Sequence, residues 1–159
     1  MIGASSSMPE PISRPMTASD IDRVMDIAAQ LTMAPHWSRE SYEKALAQDA
    51  PMQRLARVAE IQGRIEGFAI ANIIAGEAEL ESIAVAPTFQ RRGVAANLLR
   101  SLIADLRSSR VGRLILEVRA SNAGAQRLYA IAGFEQTGLR RGYYHSPDED
   151  ALIFELRIS

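Results

Sequence analysis

The segment QRRGVA, residues 90–95, places two arginines and a glycine directly before an amphipathic run. The run predicts a helix from Val94 to Leu106, so the backbone N–H groups around its first turn converge on one point. Those donors and the helix dipole favour an anion. Gly93 allows a close approach, and the arginines add positive charge. We therefore predict a phosphate-ester site formed by Arg91, Arg92, Gly93, Val94, Ala95 and Ala96.

Two common phosphate-binding chemistries lack their residues in this loop. It has no Gly-Lys-Ser/Thr of a nucleoside triphosphatase, and it lacks the three glycines of a dinucleotide fingerprint. ATP hydrolysis and NAD binding therefore lose support, and a pyrophosphate held without a metal ion remains. Taken alone, a glycine after two arginines is more often an ordinary solvated turn than a phosphate site.

A glutamate interrupts an otherwise apolar strand downstream. In LILEVR, residues 114–119, the leucines and the valine share one face while Glu117 points to the other. Partial burial would make this carboxylate a better proton acceptor, and a structural ion pair with Arg119 or another arginine is the alternative. Histidine is scarce: His36 lies in a helical hairpin and His145 in a polar loop, so neither is an obvious base.

The elements that position these residues follow an order typical of one α+β domain. A helix begins at Ile21, after Ser19 or Asp20, and a shorter one follows Ser38. Two strands flank a hairpin tip at residues 62–63, and further strands fall near residues 79–87, 114–118, 134–141 and 150–158. Asn122 begins a last helix that ends before Gly133. This order predicts a mixed, mostly antiparallel sheet flanked by helices, with residues 1–11 as a flexible lead-in and 12–159 as the single domain.

Composition limits the classes of function. The chain has 159 residues, a formal net charge of -1 and no cysteine. Disulfides, thiolate metal sites and a cysteine nucleophile are excluded, and a reducing cytosol fits this composition. No apolar run approaches the roughly 20 residues of a membrane span, and the net charge gives no general attraction to nucleic acid. We therefore expect a cytoplasmic protein without a metal, a membrane or a nucleic-acid partner.

Several motifs together resemble one known family. QRRGVA is similar to the Q/R-x-x-G-x-G/A pyrophosphate loop of the GNAT superfamily of acetyl-CoA-dependent N-acetyltransferases. The resemblance covers about residues 13–158, and it is closest in LEVRASNAGAQRLYAIAGF, RRGYYHSPDEDALIFEL and HWSRESY. These three segments resemble the RimI branch, which acetylates N-terminal alanine in ribosomal proteins. The resemblance implies the GNAT fold, acetyl-CoA as cosubstrate, and a small-subunit ribosomal protein as the acceptor.

Residues that contact the cofactor are implied by the same resemblance. Ile83, Ala84 and Val85, at the splayed end of the central strand, would offer backbone hydrogen bonds to the pantetheine arm and the acetyl group. Residues 91–96 would hold the pyrophosphate. Asn122 matches an asparagine that contacts the cofactor near the pantetheine, a role compatible with capping the following helix.

The catalytic roles are likewise implied. Glu117 matches the proposed base of the RimI branch, and Tyr129 matches its proposed acid, which protonates the departing CoA thiolate. Core packing is the alternative for Tyr129. Without cysteine, direct attack of the amine in a ternary complex is the economical mechanism. A modest base suffices for an N-terminus, because deprotonating an α-amine at neutral pH costs roughly 3 kcal/mol less than deprotonating lysine.

The residues that would bind the acceptor substrate are less clearly indicated by the sequence. Tyr143 and Tyr144, in the loop between the last two strands, could wall the peptide entry opposite Trp37 and Glu40, with packing as an equal alternative for each. RimI-like sequences usually carry an apolar residue and asparagine before Ile-Ala-Val, whereas this chain has Glu81 and Ser82.

Glutamates on this strand act as the base in other GNAT branches. We expect Glu81 to share a strand face with Glu79, Ile83 and Val85. A cationic small amine could be drawn to Glu79 and Glu81, although a simple surface position is the favoured interpretation of Glu79, at the strand start. A GNAT acting on another peptide or a polyamine-like amine is therefore one alternative function. A non-catalytic acyl-CoA sensor is the other.

Overall fold

Seven strands and four α-helices make up the described part of the chain. The computed structural model describes residues 9–47 and 53–158. The strands are β1 (Ile12–Pro15), β2 (Gln53–Ile61), β3 (Arg64–Ile74), β4 (Glu77–Val85), β5 (Arg113–Arg119), β6 (Glu135–Tyr144) and β7 (Glu149–Arg157), and the helices are α1 (Ile21–Ala29), α2 (Arg39–Leu46), α3 (Val94–Ser108) and α4 (Ala123–Ile131). The first eight residues of the predicted lead-in, 1–11, lie outside the described residues. Among residues 9–47 and 53–158, none of the helices combines the length and the hydropathy of a membrane span.

The strands form one sheet in the order β1-β2-β3-β4-β5-β7-β6. Every neighbouring pair is antiparallel except β4 and β5, which run parallel. The predicted mixed, mostly antiparallel α+β sheet is therefore confirmed. The predicted hairpin tip after β2 is confirmed, because Gln62 and Gly63 both adopt positive φ, as a two-residue turn of type I′ requires.

Helices cover both faces of the sheet. On one face, Leu98 and Leu102 of α3 are fully buried over Ala69 and Ala71, whose small side chains let the helix lie close to β3. On the other face, α1 and α2 pack against Phe68 and its neighbours. Because alternate residues of β3 point to opposite faces, one strand contributes to both cores.

The edge strand β1 is absent from the sequence-based prediction, which began its elements at Ser19. Its four residues are too short to show alternation, and they are held by pairing with β2 and by ionic contacts. Arg14 bonds the Glu60 carboxylate at 2.7 Å and the Asp20 carboxylate at 2.7 Å. The start of the first helical segment also differs, since Asp20 and Thr17 form a capping box for the turn that precedes α1.

A β-bulge in β4 separates this strand from β5. Ile70 of β3 lies opposite Ser82 and Ala71 lies opposite Leu80, so Glu81 is the extra residue. The parallel pairing of β4 with β5 runs from Glu77 to Glu79 and goes no further. Because a bulge bends and twists its strand, the two strands diverge toward their C-terminal ends. A gap opens between them beside residues 83–85.

The bulge overturns the predicted strand face of Glu81. Ile83 and Val85 pack on the α3 side of the sheet, together with Leu80. Glu81 instead contacts Arg54, whose guanidinium lies over the Trp37 ring on the opposite side. The prediction that Glu81 shares a face with Ile83 and Val85 is therefore wrong, since one extra residue reverses the alternation.

We expect Gly67→Ala to destabilise the fold by about 1–3 kcal/mol, because it would overpack a filled space. A Cβ atom at Gly67 would lie 3.1 Å from the Ala84 carbonyl oxygen, 3.1 Å from Leu98 Cδ1 and 3.2 Å from Val94 Cγ1. Gly112→Ala is the matched control, since a Cβ atom there meets nothing within 4 Å. Urea unfolding compares the two variants. Equal stability would contradict close packing of α3 on β3.

Candidate active site

A cavity of about 1040 Å³ opens where β4 and β5 diverge. It brings together most of the predicted site residues, which line it from six parts of the chain: Trp37, Glu81, Ile83, Ala84, Val85, Arg91, Gly93, Val94, Ala95, Ala96, Glu117, Asn122, Tyr129, Tyr143 and Tyr144. Arg92 is not among its lining residues, and its guanidinium lies 5.7 Å from the centre of the Phe89 ring. Glu40 is also outside, on the exposed face of α2 with Lys44 at 3.3 Å.

The loop before α3 has the shape of an anion cradle. Arg91 and Gly93 adopt φ values of 61° and 82°, which turn successive backbone N–H groups to one side. The N–H of Asn97 donates to the Gly93 carbonyl at 3.0 Å as the first bond of the helix, so the amides of residues 94–96 have no intrahelical acceptor. A Cβ atom on Gly93 would meet nothing within 4 Å. Glycine is therefore required here for its backbone conformation, and its open side leaves room for a ligand.

The diverging part of β4 offers further polar groups to the cavity. Beyond Glu79 its β5-facing edge has no strand partner. The Ser82 hydroxyl is buried without a partner in the described structure. The Val85 carbonyl, by contrast, accepts a bond of 3.1 Å from the Gln90 side chain. An extended ligand that carries amide groups, such as pantetheine, could form backbone hydrogen bonds with the rest of this edge.

Asn122 caps α4. Its Oδ1 atom accepts a bond from the Ala125 N–H at 3.1 Å, as the sequence predicts. Capping uses the side-chain oxygen, so the NH₂ group stays able to donate to a ligand. Since Asn122 lines the cavity, the capping role and the predicted cofactor contact are compatible.

Glu117 forms an ion pair with Arg140. The sequence predicted an arginine partner as an alternative to catalysis and did not identify which arginine it would be. The Oε1 atom of Glu117 is 3.2 Å from Nε of Arg140, and the Glu117 side chain is 18% exposed. Tyr143 is its second neighbour: hydrogen bonding to the Glu117 carboxylate, and the charge of that group, raise the pKa of the Tyr143 phenol. Arg119 is engaged elsewhere, with Glu149 at 3.4 Å. The carboxylate is thus held in place and still reaches the cavity.

Tyr129 approaches the same cavity from α4. Its ring packs against Phe134 at 5.5 Å and Phe154 at 6.3 Å between centroids, and 5% of the residue is exposed. Burial is the main cause that raises the pKa of its phenol. A raised pKa keeps the hydroxyl protonated at neutral pH, as a proton donor must be. Core packing and proton donation are therefore compatible for this residue.

The entrance is lined by aromatic rings and by charge pairs. Tyr143 and Tyr144 belong to the end of β6 and not to the loop after it, with their rings 5.2 Å apart. Arg54 bonds Glu81 at 2.8 Å, which offsets the charge of that glutamate. Sequence reasoning missed Arg54 and Arg140, because their contacts depend on strand register and no local pattern marks them.

The histidines keep to the surface. His36 is exposed, and its Nε2 atom lies 2.9 Å from the Leu31 carbonyl oxygen. His145 pairs with Asp148 at 3.2 Å, and its side chain is 79% exposed. Neither residue lines the cavity. The carboxylates are therefore the proton acceptors that the described site provides.

Residues 21–134 match the sequence model of the acetyltransferase (GNAT) family. The chain belongs to this family. It is accordingly an acyltransferase, which favours an enzyme over the acyl-CoA sensor. The GNAT fold expected from the resemblance is confirmed, since the crystal structure of the ribosomal-protein-S18-alanine N-acetyltransferase from Escherichia coli superposes with a TM-score of 0.82, at 34% identity over 94% of this chain and 95% of that chain.

Two relatives in sequence carry the same enzyme name as that crystal structure. The [ribosomal protein bS18]-alanine N-acetyltransferase of Escherichia coli K12 is 46% identical over 99 residues, which cover 61% of this chain and 67% of that protein. The protein of the same name from Haemophilus influenzae is 35% identical over 139 residues, or 86% of this chain and 91% of that protein. The resemblance to the RimI branch is thereby confirmed as a relationship of sequence and of fold.

We expect Gly93→Asp to weaken CoA binding by more than about tenfold, because its carboxylate would repel phosphate at the cradle. Gly76→Asp is the matched control: its φ of 79° resembles the 82° of Gly93, and a Cβ atom at either glycine meets nothing within 4 Å. The two variants therefore share backbone strain and charge change. Isothermal titration calorimetry with CoA compares them, and equal losses would mean that the cradle does not hold the cofactor.

Proposed function

We propose that this protein transfers the acetyl group of acetyl-CoA to the α-amine of an N-terminal alanine, with a small-subunit ribosomal protein as its target. The observation that carries the proposal is the convergence of Glu117 and Tyr129 on one cavity, beside the anion cradle and the diverging strand edge. The names of the relatives support the same acceptor. Aromatic side chains at the entrance, Trp37, Tyr143 and Tyr144, suit a peptide better than a free ion.

The donor set of the cavity fits acetyl-CoA. Backbone amides of residues 91–96 would bind the pyrophosphate, with Arg91 and Arg92 adding charge from the loop. The backbone of Ile83, Ala84 and Val85 would pair with the pantetheine arm, and Asn122 would donate from its NH₂ group. Bound acetyl-CoA would supply an activated acetyl thioester, whose carbonyl carbon is open to attack by an amine.

Two side chains would move the protons. Glu117 would accept one proton from the amine as its nitrogen bonds the acetyl carbon. Tyr129 would donate its proton to the sulfur as the carbon–sulfur bond breaks, so the products are an amide and the free thiol. Acid and base stand on α4 and β5, and a direct transfer needs no covalent enzyme intermediate.

A polyamine-like acceptor is the second candidate, and one observation favours it. Glu79 lines the cavity at an exposed position. Partial burial and the charges of Glu117 and Glu81 raise the pKa of Glu79. A dication would relieve that concentration of negative charge. Glu81 is less suited to this role, because Arg54 already neutralises it.

Thiol release from acetyl-CoA, with mass detection of the products, tests the acceptor directly. The substrates are matched peptides that begin with alanine, serine, methionine or glycine, together with spermidine. We expect the alanine peptide to have a kcat/KM at least about tenfold above the others, the discrimination that a small side-chain pocket can reach. Faster acetylation of spermidine would replace the proposed acceptor with a small amine.

Tyr129→Phe should lower kcat by about 10²–10⁴-fold, because it removes a proton donor and leaves the ring packing intact. Affinity for CoA should stay within about twofold, since the hydroxyl is not needed for the cradle. Tyr42→Phe is the control, because the Tyr42 hydroxyl is buried without a partner in the described structure and lies outside the cavity. Steady-state kinetics and CoA titration measure both effects. Full activity of Tyr129→Phe would remove the acid from the mechanism.

A further inference from the structure

Two carboxylates stand where two cavities meet. Glu79 and Glu117 line the main cavity, and both also line a second cavity of about 580 Å³. Asn72 and Ile115 belong to the wall of this second cavity, and Arg140 is the basic side chain among its lining residues. Glu79 ends the pairing of β4 with β5, opposite Ile115, and Glu117 lies two residues further along β5.

The arginines around this junction differ in the carboxylates that they contact. Arg54 binds Glu81 at 2.8 Å, Arg119 binds Glu149 at 3.4 Å, and Arg113 contacts Glu77 and Glu155 at 2.5 and 2.8 Å. Arg140 binds Glu117 at 3.2 Å, and its guanidinium also lies 5.2 Å from the centre of the Tyr143 ring. Arg140 therefore faces both carboxylates of the junction while the other arginines have carboxylates of their own.

We propose that Arg140 is a positioning residue for Glu117: its contact of 3.2 Å holds the Glu117 carboxylate at the cavity, and its positive charge offsets the negative charge of the neighbouring Glu79. Two carboxylates in one site repel each other, and the repulsion favours a proton shared between them. A guanidinium that binds one of them and lines the same cavity as both weakens that repulsion. The inference rests on the proposed function of Glu117 as the base.

The charged and titratable groups that face the pair support this balance. Besides Arg140, the groups near the two carboxylates are Glu81 of β4, Arg119 of β5, and Tyr143 and Tyr144 of β6. Glu149 of β7 binds Arg119. The pairs Arg54–Glu81 and Arg119–Glu149 each sum to zero charge. Glu79 and Glu117 are the two carboxylates that line both cavities, and Arg140 opposes the upward shift of the Glu79 pKa that burial and the charges of Glu117 and Glu81 cause.

Glu79 is the reporter for the test, since its titration can be followed in the free protein by NMR of ¹³C-labelled glutamate and assigned with Glu79→Gln. Arg140→Gln removes a cation that favours the carboxylate, so we expect the pKa of Glu79 to rise by about 0.5–1 unit at low ionic strength. Glu117→Gln should lower it. Arg141→Gln is the matched control, with the same charge change at the next, exposed position.

Activity supplies the second readout. The acid limb of the kcat/KM profile should move to higher pH in Arg140→Gln by up to about one unit, and back again in the double variant Glu79→Gln/Arg140→Gln. Ionisation of the peptide amine is common to all variants and cancels in the comparison. Arg140→Lys should restore most of the wild-type profile. Thermal unfolding of each variant separates these effects from loss of the fold.

The outcomes are distinct. An acid limb and a Glu79 titration unchanged in Arg140→Gln, or shifted equally in Arg141→Gln, would overturn the inference. Full activity of Glu117→Gln would overturn the proposed base instead, while the Glu79 titration would still report whether Arg140 balances the pair. Absence of peptide acetylation in the wild type would count against the proposed acceptor and leave the titration result standing.

Discussion

The separation of β4 from β5 is the constraint on which the rest of the site depends. A sheet in which these strands stayed paired would use their backbone groups in its own ladder and leave no gap. The extra residue at Glu81 bends β4 away after three paired positions. The same bend directs the strand into the loop before α3, so the anion cradle and the free strand edge face one cavity. The proposed cofactor-binding groups are therefore mostly backbone groups, placed by the path of the strand and the loop.

Close packing of α3 keeps that geometry rigid. Gly67 lies opposite Val85 in the register of β3 and β4, and the side chains of Val94 and Leu98 fill the space above it. The first turn of α3 thus rests on the strand whose partner bends away. The unpaired amides of that turn can bind an anion only while they point to one place. Core packing under α3 therefore also fixes the shape of the cradle.

Local patterns predicted the elements and much of the site, and long-range register decided the rest. The α3 stripe, the Gln62–Gly63 turn and the Asn122 cap are encoded within a few residues, so sequence alone was enough to place them. The bulge was not predictable, because a one-residue slip is decided by how β4 pairs with β3. That slip made the predicted face of Glu81 wrong. No local pattern marked Arg54 and Arg140, because their carboxylate partners lie 27 and 23 positions away along the chain.

The proposed acid, Tyr129, and the proposed base, Glu117, need opposite environments, and two different elements supply them. Tyr129 sits on α4 among aromatic rings, where burial favours the neutral phenol that a proton donor requires. Glu117 sits on β5 beside a guanidinium and near the open cavity, where charge is tolerated. A buried carboxylate without Arg140 would carry a desolvation cost, and an exposed tyrosine would lose its packing. Because the strand and the helix are consecutive, one turn at Asn122 brings both environments to the same cavity.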